Sequence, residues 1–394
     1  MHAREIRPGI KVIASVHWDR RLFDSLIPLP DGTSYNAYLV EGSKATALID
    51  STDPVLRDEL LGELNGVKQI DYIVLNHAEQ DHSGAIPDVL ARYPKARVVC
   101  NAKGKELATT HLHLTEDRII VVADGESISL GDKTLTFVYT PWVHWPETMV
   151  THCPEARVLF SCDFFGSHVA TTDVYVTDRA RVYEAAKRYY AEIMMPFRRV
   201  IQKNLEKVGA LEFDLIAPSH GPIYDDPGFI VDAYRDWVAP EMKNEIVLPY
   251  VSMHGSTQLM VLHLVDQLAR RGVTVHAFDL TVTDIGKLAI ALVDAATLIV
   301  GTPTVHVGPH PAVYYASHLA NLLRPKLRYA AIVGSYGWNS RAVEQISSLI
   351  PNLNVEVLGT ILRKGMPTDS TYAELDNLAQ AVADAHKADA LVAV

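Results

Sequence analysis

His77-Ala78-Glu79-Gln80-Asp81-His82 follows directly on the apolar run Asp71-Tyr72-Ile73-Val74-Leu75-Asn76. A strand that ends in such a cluster of donor side chains sets them at the carboxyl edge of a sheet, where α/β proteins place their chemistry. If the loop stays extended, the alternation 77, 79, 81 sends three side chains the same way, and His82 turns in beside them. Gly84 follows, where a tight turn lets the backbone bend. Four ligands from one loop can serve two adjacent metals but cannot saturate both, so more donors must come from elsewhere. The candidates each follow a strand-like run. They are His144 in Thr140-Pro141-Trp142-Val143-His144-Trp145-Pro146-Glu147, Asp163 after Val158-Leu159-Phe160-Ser161-Cys162, and His220 after Leu215-Ile216-Ala217-Pro218-Ser219. Taken alone, His144 reads equally well as an ordinary core or surface histidine, and Trp142 and Trp145 beside it read as shielding. Together the set offers four imidazoles and three carboxylates. Hard carboxylate donors stabilise a 3+ state, which suits iron or manganese better than thiolate-seeking metals. His17, His111, His113, His152 and His168 have no such context and are expected to be structural or exposed.

Outward from this loop the chain divides in two. From Tyr35 to about Leu215, short strand-like runs alternate with turn residues such as Asp31-Gly32 and Gly131-Asp132. Helical spacing intervenes, notably over residues 180–204. A sheet-rich α/β unit, two sheets with outer helices, is expected. Near Glu245 strict βα alternation begins. Strands are expected over 246–251, 273–278, 297–301, 329–334 and 355–358, with helices over 257–271, 284–294, 312–323, 340–349 and from Thr371 on. That pattern predicts a doubly wound parallel sheet. The domains are expected at 1–244 and 245–394. Pro249 sits inside a strand that should be interior, which predicts an irregularity there.

The second half carries its own chemistry. Ser252-Met253-His254-Gly255-Ser256-Thr257 lies between a strand and a helix. Hydroxyls and backbone N–H groups at a helix N-terminus make an anion site, although any capped helix shows such a loop. A phosphate site with no ribose-binding acid nearby, and no Gly-x-Gly-x-x-Gly, favours FMN over a dinucleotide. Two further loops follow strands around the switch point. One holds Pro303, Thr304, His306, Val307 and Gly308, the other Ser335, Tyr336, Gly337, Trp338 and Asn339. Tyr336 and Trp338 offer aromatic faces for an isoalloxazine ring.

Composition narrows the classes. Lys and Arg number 36 against 47 Asp and Glu, a net charge of −11, so there is no basic stripe for nucleic acid. The three cysteines, Cys100, Cys153 and Cys162, form no Cys-x-x-Cys pair, which excludes a four-cysteine metal module and fits a reducing compartment. Charges at Arg4, Glu5, Arg7 and Lys11 break any signal-peptide core, and Asp294 interrupts the longest apolar stretch, 288–300. A soluble cytoplasmic protein with no membrane contact is expected.

The pattern His-x-Glu-x-Asp-His, then His-Trp-Pro, then Cys-Asp-Phe-Phe-Gly, then Ser-His-Gly-Pro, resembles a metallo-β-lactamase-like domain. Hydrolases of that superfamily usually carry His where Glu79 stands. The Glu version joined to a flavodoxin-like half resembles the flavodiiron proteins (A-type flavoproteins), and the resemblance runs over essentially the whole chain. It implies an αββα sandwich followed by a flavodoxin-like domain. It implies one iron on His77, Glu79 and His144, another on Asp81, His82 and His220, and Asp163 as the bridge. The three loops of the second half resemble the family's phosphate and ring loops for FMN, although family members often show Asn at positions 306 and 307 and Gly at 339. By the same resemblance Tyr190 enters the substrate pocket, or else packs on a helix face. Two irons and FMN together store the four electrons that reduce dioxygen to water, and two suffice to couple two nitric oxides to nitrous oxide. The resemblance further implies a head-to-tail homodimer or tetramer. No cysteine-paired extension precedes Val394, so electrons are expected from a separate donor, rubredoxin or a reduced deazaflavin coenzyme. The competing expectations are a dinuclear metal hydrolase with an appended flavodoxin-like module, which Glu79 disfavours, and a silent flavin carrier or gas sensor.

Overall fold

In the computed structural model, which describes residues 2–391, the strand Tyr72–Val74 that leads into the histidine loop lies inside a seven-stranded sheet. The order is Arg4–Arg7, Ile10–His17, Thr33–Glu41, Thr46–Ile49, Tyr72–Val74, Arg97–Cys100 and Ile119–Val121. Pairing is antiparallel as far as Thr46–Ile49 and parallel beyond it. A second, five-stranded sheet runs Ser127–Ser129, Thr134–Tyr139, Met149–Cys153, Val158–Cys162 and Leu215–Pro218. Its last pair alone is parallel. Successive side chains of a strand point to opposite faces. Val74 accordingly joins Val12, Val40, Phe137, Met149 and Phe160 in the core that contains both sheets, whereas Ile73 joins Leu39, Leu48 and Val98 on the other face. There they meet Leu60 of the helix Arg57–Glu63 and Val89 of the helix Ile86–Arg92.

Two local expectations change. The strands Arg4–Arg7 and Ile10–His17 close one side of the first sheet, in a segment whose charges had drawn attention only as evidence against a leader. The helix expected over 180–204 is broken. Arg179–Tyr189 is α-helical, Tyr190–Met194 is a π-turn, Met195–Phe197 is 3₁₀, and Arg198–Val208 resumes the α-helix. Pro196 is the cause, because it has no N–H to donate and its ring collides with the preceding turn.

By contact density the chain forms two compact units. Tyr190 is the last residue before the break, and the first unit resumes over Phe197–Val238; Ala191–Pro196 and the chain from Ala239 on form the second. The second unit's sheet starts at Lys243, so a boundary drawn at 244–245 would cut its first strand. The sheet order is Thr274–Asp279, Lys243–Tyr250, Ala295–Val305, Tyr329–Tyr336 and Glu356–Lys364, all parallel. Ile246, Leu248, Ile299 and Val333 of the sheet pack with Met260, Leu264, Leu375 and Leu378 of the helices Ser256–Arg270 and Asp369–Ala388. Pro249 stays in the interior strand, paired with Phe278. It is the penultimate residue, so its missing donor falls where the strand is ending.

The strand Ala295–Val305 turns back through a two-residue hairpin, with Val305 opposite Gly308. Both turn residues are left-handed, His306 at φ 45° and Val307 at φ 72°. Such turns favour Asn-Gly, and a β-branched residue there is strained. Val307→Gly should therefore stabilise the second unit by about 1 kcal/mol; a urea midpoint that fails to rise would remove the strain argument.

Candidate functional site

Beyond Tyr72–Val74 the histidine loop does not stay extended. Gln80–Ser83 forms a helical turn with Glu79 at its N-cap. At ~100° per residue, the turn carries Asp81 and His82 away from His77 and Glu79. One loop thereby supplies two separate pairs of donors. His144, Asp163 and His220 complete the cluster from after the strands Thr134–Tyr139, Val158–Cys162 and Leu215–Pro218. All seven residues expected from the sequence come together.

The two pairs define two positions. Glu79 Oε2 stands 3.1 Å from His77 Nε2 and 3.0 Å from His144 Nε2. His220 Nε2 stands 3.3 Å from Asp81 Oδ2, and His82 Nε2 is 3.3 Å from Asp81 Oδ1. Asp163 lies between them. Its Oδ2 is 3.4 Å from both His77 and His144, while its Oδ1 is 2.9 Å from His82 and 3.3 Å from His220. In the sets His77, Glu79, His144, Asp163 and Asp81, His82, His220, the donor atoms lie within 4.8 Å of one another.

These groups are buried and underpartnered. Both oxygens of Asp81, both of Asp163 and His82 Nε2 have no hydrogen-bond partner among the described residues. Stranded buried carboxylate oxygens are costly, and cations at the two positions would satisfy them. Burial opposes a charge on His144 and on His220. The carboxylates override it, Asp163 and Glu79 for the first and Asp163 and Asp81 for the second, raising the pKa values to about 9 and about 10. Burial would raise the Glu79 carboxyl, but His144 and His77 hold it well below the usual range. The donors fit two hard divalent ions. Below pH 9 both imidazoles carry protons that a metal must displace. Uptake should therefore weaken as pH falls and strengthen as it rises towards 9. Adding ferrous iron to anaerobic metal-free protein at pH 7 should release at least the protons of His144 and His220, read with a pH dye; uptake without proton release would contradict this.

Residues behind the cluster hold it in place. His77 Nδ1 donates to Glu147 Oε1 at 2.7 Å, and His220 Nδ1 donates to the Ser34 carbonyl at 2.8 Å. In each case this leaves Nε2 free to face the centre. Asp50 accepts from the backbone N and Nδ2 of Asn76 at 2.9 and 3.0 Å, fixing the residue before His77. Glu147 was visible in the sequence only as the end of His-Trp-Pro-Glu. His168, expected to be structural or exposed, is buried beside the site, its ring centroid 4.8 Å from those of His220 and Tyr189. Thr33 Oγ1 bonds its Nδ1 at 2.8 Å, and Nε2 has no partner among the described residues. Burial, then the charge of His220, holds it well below the usual histidine range.

Of the two readings of Tyr190, the structure has the packing one. Its hydroxyl donates to the Trp237 carbonyl at 3.2 Å, and its ring packs on Tyr234 and Trp237. The residue before it, Tyr189, faces the centre. After burial, the charges of Asp163 and Asp81 are what push its hydroxyl up.

In the second unit a cleft opens at the carboxyl ends of the strands, lined by Met253, His254, Ser256, Pro303, Thr304, Ser335, Tyr336 and Gly337. Gly365 and Met366, after the last strand, also line it and had no sequence signal. Ser335 Oγ bonds Ser256 Oγ at 2.7 Å and Thr257 Oγ1 at 3.0 Å, joining the first loop to the third. Gly255 takes φ 86° at the N-cap of Ser256–Arg270. Ser252 Oγ accepts from Gln258 N at 3.1 Å, and Asn339 Oδ1 from Ser340 N at 2.9 Å. His306, Val307 and Gly308 form the hairpin already described, and Trp338 is 82% exposed. Ser252, Gly255, Thr257, His306, Val307, Gly308, Trp338 and Asn339 are not among the residues that line the cleft.

Residues 33–221, which include all seven donors, match a family described as ODP family beta lactamase. A nitric oxide reductase of Moorella thermoacetica is 34% identical over 90% of each chain. The flavodiiron protein of Giardia intestinalis superposes with a TM-score of 0.92 at 27% identity, covering 98% of this chain and 97% of that one. The chain belongs to the flavodiiron proteins. The rubredoxin oxygen:oxidoreductase of Desulfovibrio gigas agrees over 98% of this chain and 99% of its own, with a TM-score of 0.93 and 31% identity. The β-lactamase-like sandwich and the flavodoxin-like sheet are thus the two parts of a flavodiiron protein, which carries flavin and iron.

Proposed function

We propose that this chain is an oxidoreductase that reduces dioxygen to water, nitric oxide to nitrous oxide, or both, at a pair of irons fed by FMN. The observation that carries the reading is the seven-donor cluster with Glu79 inside it. An extra anionic donor favours iron that cycles through a 3+ state more than a hydrolytic zinc pair that stays divalent. His77, Glu79 and His144 would hold one iron, Asp81, His82 and His220 the other, and Asp163 would bridge them. Bound there, the irons supply electrons and Lewis acidity to a gas molecule. The chain's own part is to fix the ligands, through Glu147 and Ser34, and to keep the surroundings dry with Phe164, Phe165 and Tyr189, all buried.

FMN would occupy the cleft of the second unit, its phosphate at Ser256 where the helix starts and its ring near Tyr336. Tying Ser335 to the Ser256 and Thr257 hydroxyls supports one ligand spanning the loops. Electrons would come from rubredoxin or a reduced deazaflavin coenzyme, and a head-to-tail homodimer or tetramer would pair flavin with iron; a monomer that turns over at full rate would refute the assembly. Among the described residues no helix is long and apolar enough to cross a membrane, and all three cysteines are free and buried, which supports a cytoplasmic setting.

One anaerobic preparation tests the reading. Two irons per chain, an oxidised flavin spectrum of FMN, and uptake of dioxygen or nitric oxide after chemical reduction are expected. Zinc with ester or lactam turnover and no gas uptake would instead support the hydrolase.

A further inference from the structure

The two cation positions are matched in the atoms that face them. His77, Glu79 and His144 on one side, and Asp81, His82 and His220 on the other, each supply two imidazoles and one carboxylate. Asp163 turns one oxygen towards each. What stands behind His77 and His220, one imidazole from each side, is not matched. His77 Nδ1 donates to a carboxylate, Glu147, at 2.7 Å, whereas His220 Nδ1 donates to a neutral carbonyl, Ser34, at 2.8 Å.

Glu147 is built in as a charge. Its side chain is 1% exposed. Oε1 also takes the backbone N–H of Ala78 at 2.9 Å, and Oε2 has no partner among the described residues. No lysine or arginine ion pair with it is found among those residues. Its position is fixed from several sides. Asn101 Nδ2 donates to the Glu147 carbonyl, while Asn101 Oδ1 caps the helix Ala102–His111. The Trp145 ring stands edge-on to His77 with centroids 5.0 Å apart. Asp50, another buried carboxyl in this region, interacts with His82 more than with His77, but burial raises it towards the neutral form and both its oxygens are on Asn76.

We infer that Glu147 is a positioning residue that makes the two iron positions unequal, the one at His77 holding its iron more tightly and at a lower reduction potential than the one at His220. A carboxylate on Nδ1 raises the electron density at Nε2 and fixes the ring, which strengthens the metal bond. An uncompensated buried negative charge also favours the more highly charged ion. With the facing donors alike, this difference decides the order. It rests on the diiron reading above.

The test begins with iron per chain in anaerobically reconstituted full-length protein. Two irons uphold the diiron reading; fewer end that reading, and this inference with it. The reduced protein is then exposed to excess ferrous chelator. Wild type should lose iron in two phases of equal amplitude. In Glu147→Gln, which keeps the shape and loses the charge, the slow phase should accelerate by about 10- to 100-fold, with the fast phase unchanged. Glu147→Asp should fall between. A potentiometric titration followed by electron paramagnetic resonance should show a window holding one ferric and one ferrous ion, narrower in Glu147→Gln. Two irons leaving wild type in a single phase, or a slow phase unchanged in Glu147→Gln, would overturn the assignment of Glu147 while leaving the diiron reading intact. A single phase in wild type overturns the inference even if the variants do not fold.

Discussion

Asp163→Asn should empty the centre of both irons and end gas uptake, while the flavin remains bound. Asp163 is fully buried and is the one donor whose oxygens face both cation positions. Burial alone would raise its carboxyl, but the charge of His82 and the nearby imidazoles of His144 and His220 hold it well below the usual range. It is therefore anionic at any working pH, and asparagine removes that charge at almost unchanged volume. Groups one layer behind a metal are worth about 10- to 100-fold in affinity; a bridging ligand should be worth more than either figure. The fold should survive, because an amide can still bond the imidazoles that face it. Metal analysis, the visible flavin spectrum and an oxygen electrode together read all three claims. A variant that keeps two irons would show that Asp163 does not bridge.

The ligand set was legible because strand ends announce themselves. His77, His144, Asp163 and His220 each follow an apolar run, and the sheet edge does the converging. The way the four loop donors divide was not legible, since alternation in sequence assumes an extended backbone and Gln80–Ser83 is a helical turn. Tyr189 and Tyr190 expose a different limit. Two adjacent tyrosines on a helix differ by ~100° in direction, and the π-turn that begins at Tyr190 alters the phase that periodicity alone would assign. His168 and Glu147 were missed because supporting residues obey no spacing rule; only the packed structure brings Thr33 to one and His77 to the other.

In the second half, alternation located the five parallel strands along the chain, because each βα unit is a local pattern, but not the short antiparallel strand Gly308–Pro309. Strand lengths were less visible. Glu356–Lys364 extends well past the expected 355–358, and the cleft residues Gly365 and Met366 lie just beyond that extension. The run Gly-Thr-Ile-Leu-Arg-Lys at 359–364 mixes glycine and charge, so apolar counting stops too early.

Gly334→Ala should do to the flavin half what Asp163→Asn does to the iron half. Gly334 lies in the interior strand Tyr329–Tyr336, paired with Thr302 on one side and Leu362 on the other. A Cβ there would overlap the Thr302 carbonyl oxygen, with Leu362 Cδ2 3.2 Å away on the far side. The half-buried Leu362 side chain can give way, but the Thr302 backbone cannot, so on that side the strands themselves must part. Overpacking of this kind costs about 1–3 kcal/mol, and a clash with backbone falls at the upper end. The displacement falls next to Ser335, whose hydroxyl ties the first loop to the third through Ser256 and Thr257. Flavin should therefore be lost along with stability, and the visible spectrum should disappear on desalting. Both irons should stay, because their ligands all lie in the first unit. Electron flow from an external donor should then stop, although the centre is loaded. Full flavin content with an unchanged unfolding midpoint would mean that the sheet can open at this point, and the close approach at Gly334 would lose its meaning.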